Sequence, residues 1–375
     1  PANGANTQSS QFKSLGMSVA NVTVFGQKLK RGQLSLNSQQ GGVRGRFDTA
    51  LASGSILIPK NNKQSIELLL NTLNVEKSKK APLKSKAQNK WILSQNLQPA
   101  NWPKVSVLIE RLNYNKQNIG RWSAQLSPTK KGYKARDIKG ELAGTKISGE
   151  LAFTEDAKAV RTFMDLKAKG GNFGDLLTQL GFSKVLESRS GDIQASLSWK
   201  GYPWGISQGN LNGRLNFTMA NGRIVEAGTS ANFLRIFGIL NLNTVIKRLK
   251  LDFSDLLESG IAFDRVAASY FLQDGVATSQ EPLKLEGSST SVEMSGTIDL
   301  TNESLQQKMF VSIPLTSNAP LAALLLATPQ VAGIAFVVDK LLGKQLAKLT
   351  ALRYNISGPW DNPKISPVIA GTKKK

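Results

Sequence analysis

The sequence predicts a mainly β protein: a long, strongly curled antiparallel sheet, folded like a taco into an elongated hydrophobic groove, with short helices concentrated toward the C-terminus. Three observations predict it. Apolar and polar residues alternate through most of the chain in short runs separated by Gly, Asn and polar turns, as strands do when successive side chains face opposite sides. Helical periodicity is confined to a few stretches, most of them after residue 229. Finally, about 20 strands at about 4.8 Å spacing make a sheet on the order of 90 to 100 Å long, well past the roughly ten strands at which open twisted sheets curl or split. Such a trough has more apolar face than the predicted helices can cover, so a second layer of the same sheet or a ligand must fill it.

The elements follow in chain order. Residues 1–10 have neither a basic start nor an apolar core, so no signal peptide is expected, and the chain reads as a piece of something longer. Alternating strands are predicted around 32–36, 55–58, 104–109 and 149–153. Between the second and third of these, residues 76–90 hold Lys77, Lys79, Lys80, Lys84, Lys86 and Lys90 with few apolar residues, a solvated loop. Asn172 to Leu180 reads as a short helix closed by Gly181. Further strands are predicted at 195–199, 213–217, 268–272 and 296–300. Ser230 is a candidate N-cap for a helix over about 230–249, and 321–348 forms a second helical block ending in an amphipathic turn. Its apolar part, 321–338, is interrupted by Thr328, Pro329 and Gln330, short of the roughly 18 to 20 unbroken apolar residues of a membrane span. No clean boundary divides the chain; residues 1–190 read as a β-groove segment and 191–375 as a region carrying the helices.

Charge narrows the chemistry. There are 48 Lys plus Arg against 26 Asp plus Glu, a formal net charge of +22, with no histidine and no cysteine. That removes thiolate and imidazole catalysis, zinc fingers, Fe–S clusters and disulfides, and no cofactor is expected. A phosphate-backbone partner is one reading of the charge, with Lys79 to Lys90 beside Trp91, but the basic residues are scattered along the chain and no nucleic-acid module appears. Anionic lipid headgroups account for the same charge. Asp252 and Asp255 resemble a carboxylate pair, yet nothing in the sequence sets a second acid across a cleft as a glycoside-acting enzyme requires.

The C-terminal half carries a resemblance. The run Asn221-Gly222-Arg223-Ile224-Val225-Glu226-Ala227-Gly228, the phrases Phe237-Gly238-Ile239-Leu240-Asn241-Leu242 and Lys247-Arg248-Leu249-Lys250-Leu251-Asp252-Phe253, and the ending Tyr354-Asn355-Ile356-Ser357-Gly358-Pro359-Trp360-Asp361-Asn362-Pro363 resemble the C-terminal region of the YhdP-type branch of the AsmA-like family. The resemblance is specific over about 190–366 and softer before that. It implies a non-catalytic, bridge-like lipid transporter of the Gram-negative envelope, in which a curled sheet shuttles phospholipid between inner and outer membranes. It also implies a periplasmic position, an inner-membrane anchor outside this sequence, and a helical C-terminal end near the outer membrane. A protein partner in the outer membrane or periplasm is open. The competing reading is an envelope scaffold or assembly factor that binds outer-membrane proteins along exposed sheet edges.

Two sets of candidate residues follow. Leu34, Leu36, Ile56, Ile58, Leu151, Phe153, Leu215, Phe217, Tyr270, Leu272, Ile298 and Leu300 line either a lipid groove or an ordinary sandwich core, and a one-residue register error moves any of them to the other face. Phe233, Leu234, Phe237, Leu240, Leu324, Leu325, Phe336, Val337 and Leu341 either plug the end of the groove or contact membrane. Lys340, Lys344 and Lys348, four apart, share a helical face suited to anionic headgroups or simply to water.

Overall fold

Alternation of side chains fixes strands, and strands without enough helix to cover them must pair with one another. The computed structural model describes residues 13–24, 27–75, 99–156, 159–180, 186–224, 261–287, 291–314, 349–359 and 361–368. Among them, 20 strands belong to one sheet. The chain divides into two compact units, Pro1–Leu142 with Ser148–Lys158, and Ala143–Ile147 with Ala159–Lys375.

In the first unit, β1 (Ser14–Val24), β2 (Gln27–Gln39), β3 (Gly42–Thr49), β4 (Ala52–Pro59) and β5 (Ile66–Val75) form an antiparallel meander. The all-antiparallel expectation fails at the next step. β6 (Val105–Ile109) and β7 (Leu112–Tyr114) both run parallel to β5, so the sheet is mixed. The cause is the long connection from Val75 to Val105, which holds the lysine-rich stretch: a parallel pair needs a crossover of a dozen or more residues, and this one is long enough to bring the chain back to its starting end. Hairpin geometry resumes with β7 and β8 (Gln117–Asn118), whose turn residues Asn115 and Lys116 both have positive φ, as a two-residue type I′ turn requires. β9 (Trp122–Thr129) then pairs with β6 on one side and with β10 (Gly132–Leu142) on the other. β11 (Thr145–Glu155) follows.

In the second unit, β12 (Val160–Lys169), β13 (Leu186–Lys200), β14 (Asn212–Ile224), β15 (Ile261–Gln273), β16 (Val276–Glu286), β17 (Ser291–Asp299), β18 (Ser304–Pro314), β19 (Leu349–Pro359) and β20 (Lys364–Pro367) pair in sequence order, every pairing antiparallel. The Asp274-Gly275 turn between β15 and β16 has positive φ at both residues, the strongest short hairpin signal in the chain. The helix expected over 172–180 is present as α1 (Phe173–Gln179), with the Asn172 side chain accepting from the Gly174 N–H. Its Phe173, Leu176 and Leu177 are buried, and it packs on β13. The helices expected over 230–249 and 321–348 lie outside the described residues, and with them Phe233, Leu234, Phe237, Leu240, Leu324, Leu325, Phe336, Val337, Leu341, Lys340, Lys344 and Lys348. Among the described residues, no helix is long and apolar enough to cross a membrane.

Candidate functional site

Residues directly opposite one another in a ladder share a face, so following each strand residue to its ladder partner carries a face from strand to strand. In the first unit, one such row runs Leu15, Leu36, Gly45, Ile56, Leu68, Val107, Ala124, and the next runs Met17, Leu34, Phe47, Gly54, Leu70, Ile109, Trp122. A third pairs Val43 with Ile58. All four candidate residues from these strands, Leu34, Leu36, Ile56 and Ile58, therefore lie on one apolar face. Gly45 leaves a gap in the first of these rows: a Cβ there would stand 2.8 Å from both Leu36 Cδ2 and Ile56 Cγ2, so these two side chains close over the glycine. The opposite face is polar, with Gln33, Ser35 and Asn37 set against Asp48, Arg46 and Arg44.

This face is only half covered. Leu34, Leu36 and Ile56 are half-buried, and Leu15, Met17 and Ile58 are 44%, 48% and 41% exposed. Leu151 and Phe153, two apart, share a face of β11; Leu151 is half-buried and Phe153 is buried, with its ring edge-on to Trp102 at 6.1 Å. A cleft of about 590 Å³ opens over β1 to β4, lined mainly by polar-face residues including Ser18, Gln33, Ser35, Arg46 and Asp48, with Met17, Leu34 and Phe47. A twisted sheet is a saddle, so concave ground occurs on its polar side as well as its apolar one.

In the second unit, the same tracing gives a longer apolar face. One row is Leu272, Ala277, Ile298, Leu305; another is Met219, Val266, Leu285, Val292, Val311. Between them runs Leu215, Tyr270, Ser279, Gly296, Gln307, Ile356, and Phe217 pairs with Ile193 and Ala268. Leu215, Phe217, Tyr270, Leu272 and Ile298 thus share one face. Leu300 lies in the turn after β17 rather than in a strand, and is buried. This face is closed over its centre, where Ile298 and Ile356 are 0% exposed, Tyr270, Met294 and Met309 1%, and Leu272 4%, while Leu215, Ile193 and Val311 are half-buried. Burial pushes the phenols of Tyr270 and Tyr354 up, the latter to about 12, because the charged form would lose its water. The opposite face carries Arg161, Lys167, Arg214, Lys284, Lys308 and Arg353 among acidic and hydroxyl residues, with Lys284 paired to Glu293 at 3.4 Å and Arg353 over the Phe310 ring.

Comparison with known proteins decides the family. The family model described as YhdP protein matches residues 2–365. The chain belongs to the YhdP family. A curated relative in that family, the intermembrane phospholipid transporter YhdP of Escherichia coli (strain K12), is 22% identical over 391 residues, which takes in 100% of this chain. The chain spans 30% of the length of that YhdP relative. No solved structure matches the chain. Register shows the face of each: the candidate strand residues of each unit that ladder pairing reaches share one apolar face. Gln307, which sequence reading passed over, stands in the same alternation as Leu305, Met309 and Val311, and its phase in the run Ser304 to Ile313 is the signal that marks it.

Proposed function

We propose that this chain is a section of a longer protein that carries phospholipid between the inner and outer membranes of a Gram-negative envelope, working in the periplasm without catalysis. Its apolar faces are the surface on which acyl chains travel. The observation that carries the reading is the alignment of apolar residues across successive strands, in a chain whose family relative is named for phospholipid transport.

The physical need is large. Drawing a phospholipid with two 16-carbon chains into water costs on the order of 20 kcal/mol or more, at about 0.8 kcal/mol for each exposed CH₂. An apolar strip that accepts the chains while the headgroup stays in water removes most of that barrier, with no nucleophile, metal or cofactor. It lowers a barrier without setting a direction, so net flow requires a gradient or a partner. The half-open face of the first unit, with Leu15, Met17 and Ile58 exposed beside buried Leu70, suits a bound chain that enters from the side. Purified from bacterial cells in mild detergent, the chain is expected to carry phospholipid, read by extraction and mass spectrometry. Preparations that hold none and take up none from vesicles would contradict the reading.

A further inference from the structure

The closed apolar face of the second unit contains one polar seam. Tyr270 pairs with Ser279, the Ser279 hydroxyl accepts from the Gly296 N–H at 2.9 Å, and Gly296 pairs with Gln307, so the three polar side chains fall in a single register row. From β15 to β18 this row spans about 14 Å at strand spacing. The rows that flank it are Leu272, Ala277, Ile298, Leu305 on one side and Leu283, Met294, Met309, Tyr354 on the other.

Within the seam, Ser279 is satisfied by the Gly296 backbone, but the Gln307 amide is unsatisfied among the described residues. Its side chain is 3% exposed, and among the described residues neither its Nε2 nor its Oε1 has a hydrogen-bond partner. The neighbouring position holds no side chain: Gly296 has φ +144, and a Cβ there would stand 2.1 Å from the Gln306 carbonyl oxygen. An orphaned buried amide is destabilising, and native proteins keep few of them without reason. An ordinary core would hold Leu or Met at this point of the alternation, since a side chain of that size fits and loses nothing.

The geometry points to Gln307 as a binding station for the acyl ester of a diacyl phospholipid, its Nε2–H donating to an ester carbonyl and its Oε1 accepting from a headgroup or water hydrogen. The inference rests on the phospholipid reading above and adds the atom by which the lipid is held. It also gives the closed face a reason to open. The unpaired amide raises the energy of the lipid-free form, and a lipid that enters recovers those hydrogen bonds, which shifts the balance toward the loaded form.

The test is competitive loading of the whole chain from mixed vesicles of diacyl phosphatidylethanolamine and its dialkyl ether analogue, which lacks both carbonyls. Native mass spectrometry counts the first lipid bound. Wild type should favour the diacyl lipid by about fivefold, the worth of one net hydrogen bond. Gln307→Met should bring the ratio to about one while total loading persists, and should raise the melting temperature of the lipid-free protein. Gln306→Met, on the polar face, should leave the ratio unchanged. A wild type that loads both lipids equally, as it would if water alone served the amide, overturns the proposal, as does a Gln307→Met protein that keeps the preference. Either result leaves the phospholipid reading standing. A wild type that loads neither lipid removes that reading and the station with it.

Discussion

At the residue scale, burial and face decide what each side chain is for. Tyr354 is buried, at 3% exposed, and loss of hydration pushes its phenol up from the ordinary 10.0 to about 12. The unfolded chain loses that proton near pH 10 while the folded chain holds it, so the unfolded state binds fewer protons above pH 10 and stability falls as pH rises from 10 toward 12. Alkaline melting curves should therefore drop across that window, and Tyr354→Phe should flatten part of the drop; identical curves for the two proteins would rule the contribution out. Single residues were legible in sequence where alternation was regular. Leu34, Leu36, Ile56, Leu215, Phe217, Leu272 and Ile298 each sit on the apolar face of their unit. Leu300 did not follow, because the strand ends at Asp299, whose carboxylate accepts from the Thr301 and Asn302 N–H groups and turns the chain one residue early.

At the scale of the element, the two units use the same alternation differently. Their strands carry one apolar and one polar face, but the first unit leaves its apolar face half exposed and the second closes it. A charge placed on each face should separate the two. Leu36→Asp puts a carboxylate on a half-open surface, where water still reaches it, so folding should survive with a loss of about 1 kcal/mol or less while phospholipid uptake falls severalfold. Ile298→Asp buries the same group where exposure is 0%, and should cost about 4 kcal/mol or more, seen as loss of the second unit's cooperative melting. Circular dichroism and lipid uptake on the two proteins check both outcomes. Strand identity was readable from period-two patterning bounded by Gly, Asn and polar turns. The parallel placement of β6 and β7 was not, since the direction in which a strand returns depends on where a long connection ends and not on the residues of the strand itself.

For the whole molecule, the proposed function asks for an apolar path and a wet basic exterior, and the chain carries a net charge of +22. A basic, wet exterior is drawn to anionic membrane surfaces, at roughly 1 kcal/mol per basic residue close to the headgroups. On the proposed reading, acyl chains run along the apolar face of each unit. Adjacent residues of one strand point to opposite faces, which makes the claim directly testable. A photoreactive amino acid at Leu36 reports from the apolar face and one at Asn37, a single residue on, reports from the polar face. In bacterial membranes or with phospholipid vesicles, illumination should attach phospholipid at position 36 and little or none at position 37. Equal attachment at the two positions, or attachment at 37 alone, would contradict the assignment of the apolar face as the lipid path.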